Sequence, residues 1–430
     1  MIEQFNKLPL SELFESVIGG GTPPRAIPEY WNGSIPWASV KDFSDNELKL
    51  NKTQESITKL GLLNSTSKLI KTGTPIICLR MAVGRVAIAN KDVSINQDLK
   101  ALFTKGNIDS LYLVYLLDFS RSEVMRRSIG STVKGISTSE LLRIQVPFPE
   151  SLDTQQKIAT ILSTVDNLIE KTQSLIDKYT SVKQGMMADL FTRGIDLSGT
   201  PETNKNYGQL RPSVTESPEL YQETELGWVP KDWAIVQLRN ICHKITDGSH
   251  QSVKTTEDGD VPFLFVSSVR NGQILWDKTA LITNDDYAIL SKGREPKKGD
   301  VLYTAVGSYG HAAGVDEDVK FAFQRHIAYI KPDNLKIKSS FLTELLNFDM
   351  LKRWADKVAL GNAQKTVTLG ELSKYPVILP TLAEQKTMLG NLSSISNTIE
   401  LEAETLLKQE KIKKGLMQDL LTGKVSVKSD

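Results

Sequence analysis

The sequence predicts an α+β protein made of two copies of one unit, each a mixed α/β domain followed by a long helix. The chain has 430 residues, which is too many for one ordinary core. Its two halves end on nearly the same phrase, KQGMMADLFTRGIDL at 183–197 and KKGLMQDLLTGKVSV at 413–427. Upstream, KTGTPIICLRMAVGR at 71–85 aligns with KKGDVLYTAVGSYGH at 297–311. The matched segments lie 230 and 226 residues apart, as a duplication with small loop insertions predicts.

The repeat divides the chain into five parts. Both copies have the same internal order: short β-type runs, a helical stretch, a proline-marked turn and a long helix. The segment between the copies carries two basic and six acidic residues. The predicted parts are a first mixed domain at 1–150, a first helical region at 151–194, an acidic linker at 195–225, a second mixed domain at 226–380 and a second helical region at 381–425.

The two helical regions carry apolar residues at alternating spacings of three and four, which is typical of a coiled-coil seam. We therefore expect the two helices to pair as an antiparallel coiled coil, with the halves related by a pseudo-twofold axis. The predicted stripe of the first helix is Ile158, Ile161, Val165, Leu168, Thr172, Leu175, Tyr179, Val182 and Met186. That of the second is Met388, Leu392, Ile395, Ile399, Glu402, Leu406, Gln409, Lys413, Leu416 and Leu420.

The composition and motifs exclude several functions. The formal net charge is only +1, so any DNA affinity must come from local patches or from partner subunits. No apolar run is long enough to span a membrane, and the two cysteines fit no metal or redox spacing, so we expect a cytoplasmic protein. The sequence contains no phosphate-binding loop, no GxSxG elbow and no Asn-Pro-Pro-aromatic motif. We therefore expect no catalytic residue and no metal site in this chain.

Polar loops recur at matching places in the two copies, such as RMAVGR and STVKG in the first and GSYGH and NAQK in the second. Arg, Lys, Gln, Asn, Ser and His are the side chains that contact base edges and phosphates. Their repetition on a duplicated scaffold favours DNA binding over ordinary solvated loops. The candidate DNA-binding residues are Thr22, Lys41, Arg80, Arg85, Gln97, Lys134, Thr246, Ser249, His250, Ser268, Tyr309, His311, Gln324, Arg325 and Lys365.

Three segments carry a resemblance to a known family: GGGTPPRAIPEYWNGSIPWASVKDF at 19–43, ETELGWVPKDWAIVQLRNI at 223–241 and the closing QDLLTGKVSV. With them, the sequence resembles the specificity subunit of type I restriction-modification systems over essentially its whole length. The resemblance implies that the two mixed domains, 1–150 and 226–380, are target-recognition domains. Each would bind one half of a bipartite double-stranded DNA target, and the helices would set the gap. It also implies two methyltransferase subunits and translocating restriction subunits as partners. S-adenosylmethionine, ATP and Mg²⁺ would belong to those partners, with no cofactor in this chain.

On this interpretation the repeated closing phrase is a docking surface, used once in each half by a methyltransferase subunit. The candidate docking residues are Gly185, Met187, Leu190, Gly415, Met417 and Leu420. Two other functions stay open from the residues alone. The chain could be a DNA methyltransferase or nuclease in its own right, or a coiled-coil scaffold that binds only protein.

Overall fold

The computed structural model describes residues 5–45, 47–130, 134–270, 272–361 and 365–427. The chain folds into two compact units. Unit 1 comprises residues 1–175 and 402–430, and unit 2 comprises residues 176–401. Each unit therefore contains one mixed domain, the first part of the long helix that follows it and the last part of the other long helix.

The helices and strands of unit 1 follow the short apolar runs of the first mixed domain. Its strands are β1 (Asn6–Pro9), β2 (Phe14–Gly19), β3 (Trp31–Ala38), β4 (Lys49–Leu50), β5 (Glu55–Ile57), β6 (Leu69–Ile70), β7 (Pro75–Cys78), β8 (Val86–Ala89), β9 (Val93–Ile95), β10 (Leu99–Thr104) and β11 (Gln145–Phe148). Its helices are α1 (Lys59–Leu63), α2 (Ser110–Phe119), α3 (Arg121–Arg126), α4 (Thr138–Leu142) and the first part of α5 (Leu152–Thr192).

Unit 2 repeats these parts. Its strands are β12 (Tyr221–Thr224), β13 (Gly227–Pro230), β14 (Ala234–Gln237), β15 (Cys242–Asp247), β16 (Val261–Leu264), β17 (Val269–Arg270), β18 (Gln273–Ile274), β19 (Ala280–Ile282), β20 (Val301–Thr304), β21 (Ala312–Gly314), β22 (Ala322–Phe323), β23 (Ile327–Pro332) and β24 (Pro376–Leu379). Its helices are α6 (Asn284–Leu290), α7 (Ser339–Asn347), α8 (Asp349–Val358), α9 (Leu369–Ser373) and the first part of α10 (Leu382–Leu421).

The strands that the two units share follow the same order in the sheets, and unit 1 adds one edge strand to each sheet, β4 and β6. In unit 1 the larger sheet runs β2-β10-β7-β8-β4, and in unit 2 it runs β15-β23-β20-β21. The second sheet runs β5-β3-β9-β6 in unit 1 and β19-β16-β22 in unit 2. Each includes one parallel pair, β3 with β9 and β16 with β22. The duplication seen in the sequence is thus a duplication of topology.

The long helices begin and end in the same way in both copies. At the N-terminus of α5, the Ser151 hydroxyl accepts a hydrogen bond from the Thr154 N–H at 3.2 Å, and Thr381 does the same for the Glu384 N–H in α10. Just past the C-termini, Gly194 and Gly423 have φ of +66° and +72°. A left-handed residue there satisfies the last carbonyls of a helix, and glycine adopts it without steric cost.

A buried glutamine fixes the start of each long helix to its own domain. Gln155 is fully buried; its Oε1 accepts a hydrogen bond from the Asp109 N–H at 2.9 Å, and its amide donates to two backbone carbonyls. Gln385 is also fully buried, and its Oε1 accepts from the Lys338 N–H at 2.8 Å. Because the glutamine satisfies backbone groups of another segment, each helix leaves its domain in a fixed direction.

The repeated closing phrase packs into hydrophobic cores. In unit 2, Met187, Leu190 and Phe191 from the end of α5 lie in one core with Met388 and Leu392 from the start of α10. In unit 1, the end of α10 packs beside the start of α5: Met417, Leu420 and Leu421 share a core with Ile158, Ala159 and Leu162. Within each unit the two helical segments are therefore antiparallel, as the sequence predicts.

The predicted apolar stripe is correct for α10 and wrong in phase for α5. None of the predicted stripe positions in α10 is exposed. In α5, Leu168, Leu175 and Val182 are exposed by 48%, 37% and 44%. Ile169 and Ile176 take the inward positions instead. From Ile158, the inward stripe of α5 advances by four and then three residues, whereas the predicted stripe advances by three and then four. Either phase fits the sequence, because adjacent positions such as Leu168 and Ile169 are both apolar.

Candidate nucleic-acid interface

Two hairpins with the same backbone lie at equivalent places in the two units. They span residues 78–85 in unit 1 and 304–311 in unit 2, and are called here hairpin 1 and hairpin 2. The Cys78 N–H donates to the Arg85 carbonyl at 2.8 Å, as the Thr304 N–H does to His311. The backbone N–H of Gly84 and of Gly310 likewise donates back to the first residue of its hairpin. The equivalence established by the repeat therefore extends to individual hydrogen bonds.

A neighbouring loop supports each hairpin from the same side. The Met81 N–H donates to the Lys134 carbonyl at 3.0 Å, and the Gly307 N–H donates to the Lys365 carbonyl at 3.0 Å. The candidate residues Lys134 and Lys365 therefore lie beside the hairpins, and both are exposed. The rest of these two candidate loops, residues 131–133 and 362–364, lies outside the described residues.

Hairpin 1 borders a surface pocket of about 340 Å³ that carries several cations. Lys41, Lys134, Arg85 and Arg121 line it, and the exposed Arg80 precedes Met81 on the hairpin. The candidates Lys41, Arg80 and Lys134 are the exposed ones of this set. Exposed cations around a concave surface provide the electrostatic contribution that DNA phosphates require.

Arg85 is half-buried and paired with an acidic residue, which its sequence context does not indicate. Its guanidinium donates to both carboxylate oxygens of Asp45, at 2.8 and 3.1 Å, and to the Phe43 carbonyl at 2.9 Å. Arg121 lies 2.5 Å from the same carboxylate. Hydrogen bonds from Arg85 and then Arg121 hold the pKa of the Asp45 carboxyl below its usual value. Arg85 therefore holds Phe43 and Asp45 beside the hairpin, and its contact with DNA stays a prediction.

Two candidate pairs occupy equivalent edges of the units. In unit 1, the Thr22 hydroxyl donates to Gln97 Oε1 at 2.6 Å. In unit 2, Ser249 and Gln324 form a β-bridge, and the Arg325 N–H donates to the Ser249 carbonyl at 3.0 Å. Gln97 and Arg325 are exposed, and Gln324 is half-buried. The structure thus brings together residues that are about 75 positions apart in each copy and leaves Gln97 and Arg325 open to a ligand.

The glycines that precede these pairs allow a close backbone approach. A Cβ on Gly20 would lie 1.8 Å from the Ile95 carbonyl oxygen, and one on Gly248 would lie 2.2 Å from the Phe323 carbonyl oxygen. Only glycine fits such a contact. The glycine-rich GGGTPPR segment is therefore explained by packing against the neighbouring strand.

The remaining candidates of unit 2 surround hairpin 2 and strand β15. His250 Nε2 lies 2.5 Å from an Asp247 carboxylate oxygen, and Thr246 is half-buried on β15. The Tyr309 hydroxyl donates to Asp356 at 2.5 Å, which raises the pKa of the tyrosine. Burial, with Arg270 and Lys352 nearby, lowers the pKa of His311. These surroundings favour the neutral form of the ring, which offers a base edge one donor and one acceptor.

Two serine candidates are corrected because they are buried. Ser268 is fully buried; its hydroxyl donates to the Lys278 carbonyl at 2.7 Å and accepts from the Phe265 N–H. Ser249 is only 6% exposed, and its hydroxyl accepts from the Gln251 N–H. Both hydroxyls stabilise turns and are not available to DNA in this structure.

The docking candidates divide into two kinds. Met187, Leu190, Met417 and Leu420 are at most 9% exposed, because they lie in the two cores described above. Their side chains are therefore not available to a partner, and their repetition has an intramolecular reason. Gly185 and Gly415 are exposed, with open space where a Cβ would be.

A buried ion pair in unit 2 was not indicated by any sequence motif. Arg211 from the acidic linker donates to Glu384 Oε1 at 2.5 Å; the two residues are 7% and 2% exposed. Glu384 also accepts from the Ile195 N–H and the Trp233 indole, at 2.8 and 3.1 Å. The equivalent position in unit 1 is Thr154. In the sequence, only the alignment of Glu384 with Thr154 indicates that the two copies differ at this position.

Other kinds of site were searched for in the described part of the chain. Nowhere in it do three or more His, Cys, Asp or Glu side chains cluster so that they could hold a metal ion. None of its helices combines the length and the apolar character that crossing a bilayer requires.

The two units match a known protein family. The type I restriction modification DNA specificity domain aligns with residues 2–178 and again with residues 230–411. The chain belongs to this family. It is therefore a DNA-recognition subunit of a type I restriction-modification system, in which the catalytic activity resides on partner subunits.

Individual relatives cover nearly the whole chain. The MjaVIII specificity subunit of Methanocaldococcus jannaschii is 28% identical over 97% of this chain and 92% of its own length. The MjaIX specificity subunit of the same organism is 25% identical over 96% and 91%. Among solved structures, a type I S subunit from M. genitalium matches with a TM-score of 0.58 at 14% identity, covering 97% of this chain and 96% of the other. That similarity shows a shared fold.

Proposed function

We propose that each unit of this specificity subunit binds one half of a bipartite DNA target and that α5 and α10 set the gap between the halves. Two methyltransferase subunits would dock on the chain, and translocating restriction subunits would join the complex. S-adenosylmethionine, ATP and Mg²⁺ would be bound by those partners. We expect the complex in the cytoplasm, where its DNA and ATP are.

The observation that carries the proposal is the pair of hairpins. Their backbones share the same hydrogen bonds, yet hairpin 1 presents Arg80 and Met81 where hairpin 2 presents Val306 and Gly307. Side chains specify bases, whereas a scaffold only positions them. One scaffold with two sets of side chains is what the recognition of two different half-sites requires.

The exposed glycines support docking at the repeated phrase. Glycine inside a helix costs about 1 kcal/mol relative to alanine. Apart from the adjacent residues and the nearby backbone of the same helix, no atom lies within 4 Å of the Cβ position of Gly185 or Gly415. Residues 181–190 and 411–420 also have the same pattern of burial, position by position. A close approach by the same partner at both places accounts for the exposed glycines, and the matching burial pattern would offer that partner the same surface twice.

The half-site assignment can be tested by selecting preferred duplexes from a randomised pool, with the chain assembled with its methyltransferase. Gln97→Ala should weaken discrimination at one base position of one half-site by about 1–3 kcal/mol. Gln324→Ala should do so in the other half-site only. If either substitution altered both half-sites, or if the wild-type complex selected no bipartite target, the proposal would be wrong.

The helices as determinants of the gap are tested by a heptad insertion. Seven residues added after Thr172 and after Glu402 preserve the apolar seam and lengthen each helix by roughly 10 Å, or about three base pairs. The same half-sites should then be selected across a wider gap, or binding should fail. Replacing the exposed His250 and Gln251 is the matched control, because it should change one half-site and leave the gap alone. An insertion variant that kept the original gap at full affinity would contradict the proposal.

A further inference from the structure

Met81 lies at the tip of hairpin 1 in a backbone conformation that methionine rarely adopts. Its φ is +61°, and its side chain is 66% exposed. In this left-handed conformation the Cβ of an L-residue crowds the following carbonyl oxygen. Gly307, the equivalent residue of hairpin 2, has a φ of +74° and accepts the conformation without a Cβ. The hairpin therefore requires a left-handed residue here, and glycine meets the requirement in unit 2.

Folding alone gives no reason for a methionine at this position. The conformation is strained for it, and most of its apolar side chain faces water. Strained residues that persist in a fixed surrounding are concentrated at binding sites. The hydrogen bond from the Met81 N–H to Lys134 and the bridge between Arg80 and Gly135 supply that surrounding.

The surroundings of Met81 indicate the ligand. Lys41, Arg80 and Lys134 are exposed around it, and cations at such positions neutralise DNA phosphates. An apolar side chain among phosphate-binding cations is placed to meet the edge of a base pair. The thymine methyl is the one apolar group that base pairs present in the major groove.

We propose that Met81 determines specificity in the half-site of unit 1 by contacting a thymine methyl group in the major groove. Unit 2 has no such contact from hairpin 2, because Gly307 carries no side chain. This inference rests on the proposed DNA recognition by unit 1 and adds to it the residue and the chemical group that it recognises.

The test combines Met81→Gly with the removal of single thymine methyl groups. Met81→Gly deletes the side chain and keeps a residue suited to the left-handed conformation, so the variant should unfold at the same temperature as the wild type or higher. In the assembled complex, each thymine of the half-site that Gln97→Ala identifies is replaced in turn by uracil. At one position uracil should weaken wild-type binding about fourfold, the effect of burying one methyl group. Binding by Met81→Gly should be unaffected by the same replacement.

Met125→Ala is the matched control. Met125 lines the same pocket from α3 and is 44% exposed, but it has an ordinary helical backbone. This variant should keep the wild-type response to uracil. The proposal is overturned if Met81→Gly retains the wild-type response, if Met125→Ala loses it equally, or if no thymine of that half-site responds. A wild-type complex that selects no bipartite target would instead refute the proposed function itself.

Discussion

At the tip of hairpin 1, unit 1 carries Arg80 and Met81, whereas the same backbone in unit 2 carries Val306 and Gly307. Behind the hairpins, the strands that the two units share follow the same order, and both units have the same buried glutamine at the start of the long helix. The features that the two units share position the loops. The features that differ between the units are the side chains that the loops present. Specificity in such a protein can therefore change without a change in fold.

A second difference lies at the start of the long helices. Unit 2 holds Glu384 in a buried ion pair with Arg211 of the linker, whereas unit 1 has Thr154 at that position. The linker that follows α5 is thus anchored to unit 2 by charge, in addition to the apolar packing that both units share.

The largest effect expected from this comparison is the loss of that ion pair. Glu384→Ala leaves the buried Arg211 guanidinium with Asp232 as its ion-pair partner, a carboxylate whose side chain is 61% exposed. The free energy of unfolding should therefore fall by roughly 3–5 kcal/mol. Thr154→Ala, at the equivalent position of unit 1, should cost about 1 kcal/mol. Chemical denaturation of both variants measures the difference. Equal losses would show that the two helix starts are energetically alike.

The second-largest effect concerns which unit each copy of the repeated closing phrase stabilises. Leu190→Ala and Leu420→Ala each leave a cavity in a core and should cost roughly 2–5 kcal/mol. Hydrogen exchange followed by mass spectrometry should localise the loss to residues 176–401 for Leu190→Ala and to unit 1 for Leu420→Ala. Leu168→Ala on α5, which is 48% exposed, is the control and should change exchange little. Faster exchange in the opposite unit would contradict the assignment of the cores.

The smallest effect separates stability from assembly. Gly185→Ala and Gly415→Ala should each stabilise the helix by about 1 kcal/mol, since the Cβ meets nothing within 4 Å. If the methyltransferase backbone approaches there, both variants should bind it more weakly, as titration with the purified methyltransferase would measure. Unchanged binding by both would remove the glycines from the docking surface.

The sequence was sufficient for the fold because its strongest signal was the repeat itself, and a repeat transfers information between copies. Transferring the stripe of α10 to α5 would also have corrected the phase of the predicted stripe in α5. Subtracting 230 from the α10 stripe places Ile399 on Ile169 and Leu406 on Ile176, which are the inward positions in the structure. Apolar periodicity within α5 alone could not decide, because neighbouring positions were also apolar.

The site was harder to predict because burial and pairing depend on distant contacts. The residues around Ser268 in the sequence resemble those around a serine in an exposed loop. Only the fold shows that its hydroxyl stabilises a turn. The Arg85 guanidinium is hydrogen-bonded to Asp45, which lies 40 positions away in the sequence. Met81 is not indicated by composition, because methionine is not among the polar side chains that hydrogen-bond to bases and phosphates. Its alignment with Gly307 was the available signal, since a glycine at a hairpin tip indicates a positive φ.

The central claim is that the two units share one scaffold and that hairpin side chains determine the half-site each unit binds. The most direct test replaces VGSY at residues 306–309 by RMAV, the residues at 80–83, and selects targets for the chimera assembled with its methyltransferase. The second half-site should then take on, at the positions the hairpin contacts, the bases of the first half-site, while the first half-site and the gap stay unchanged. An assembled chimera that still selected the original second half-site would contradict the account.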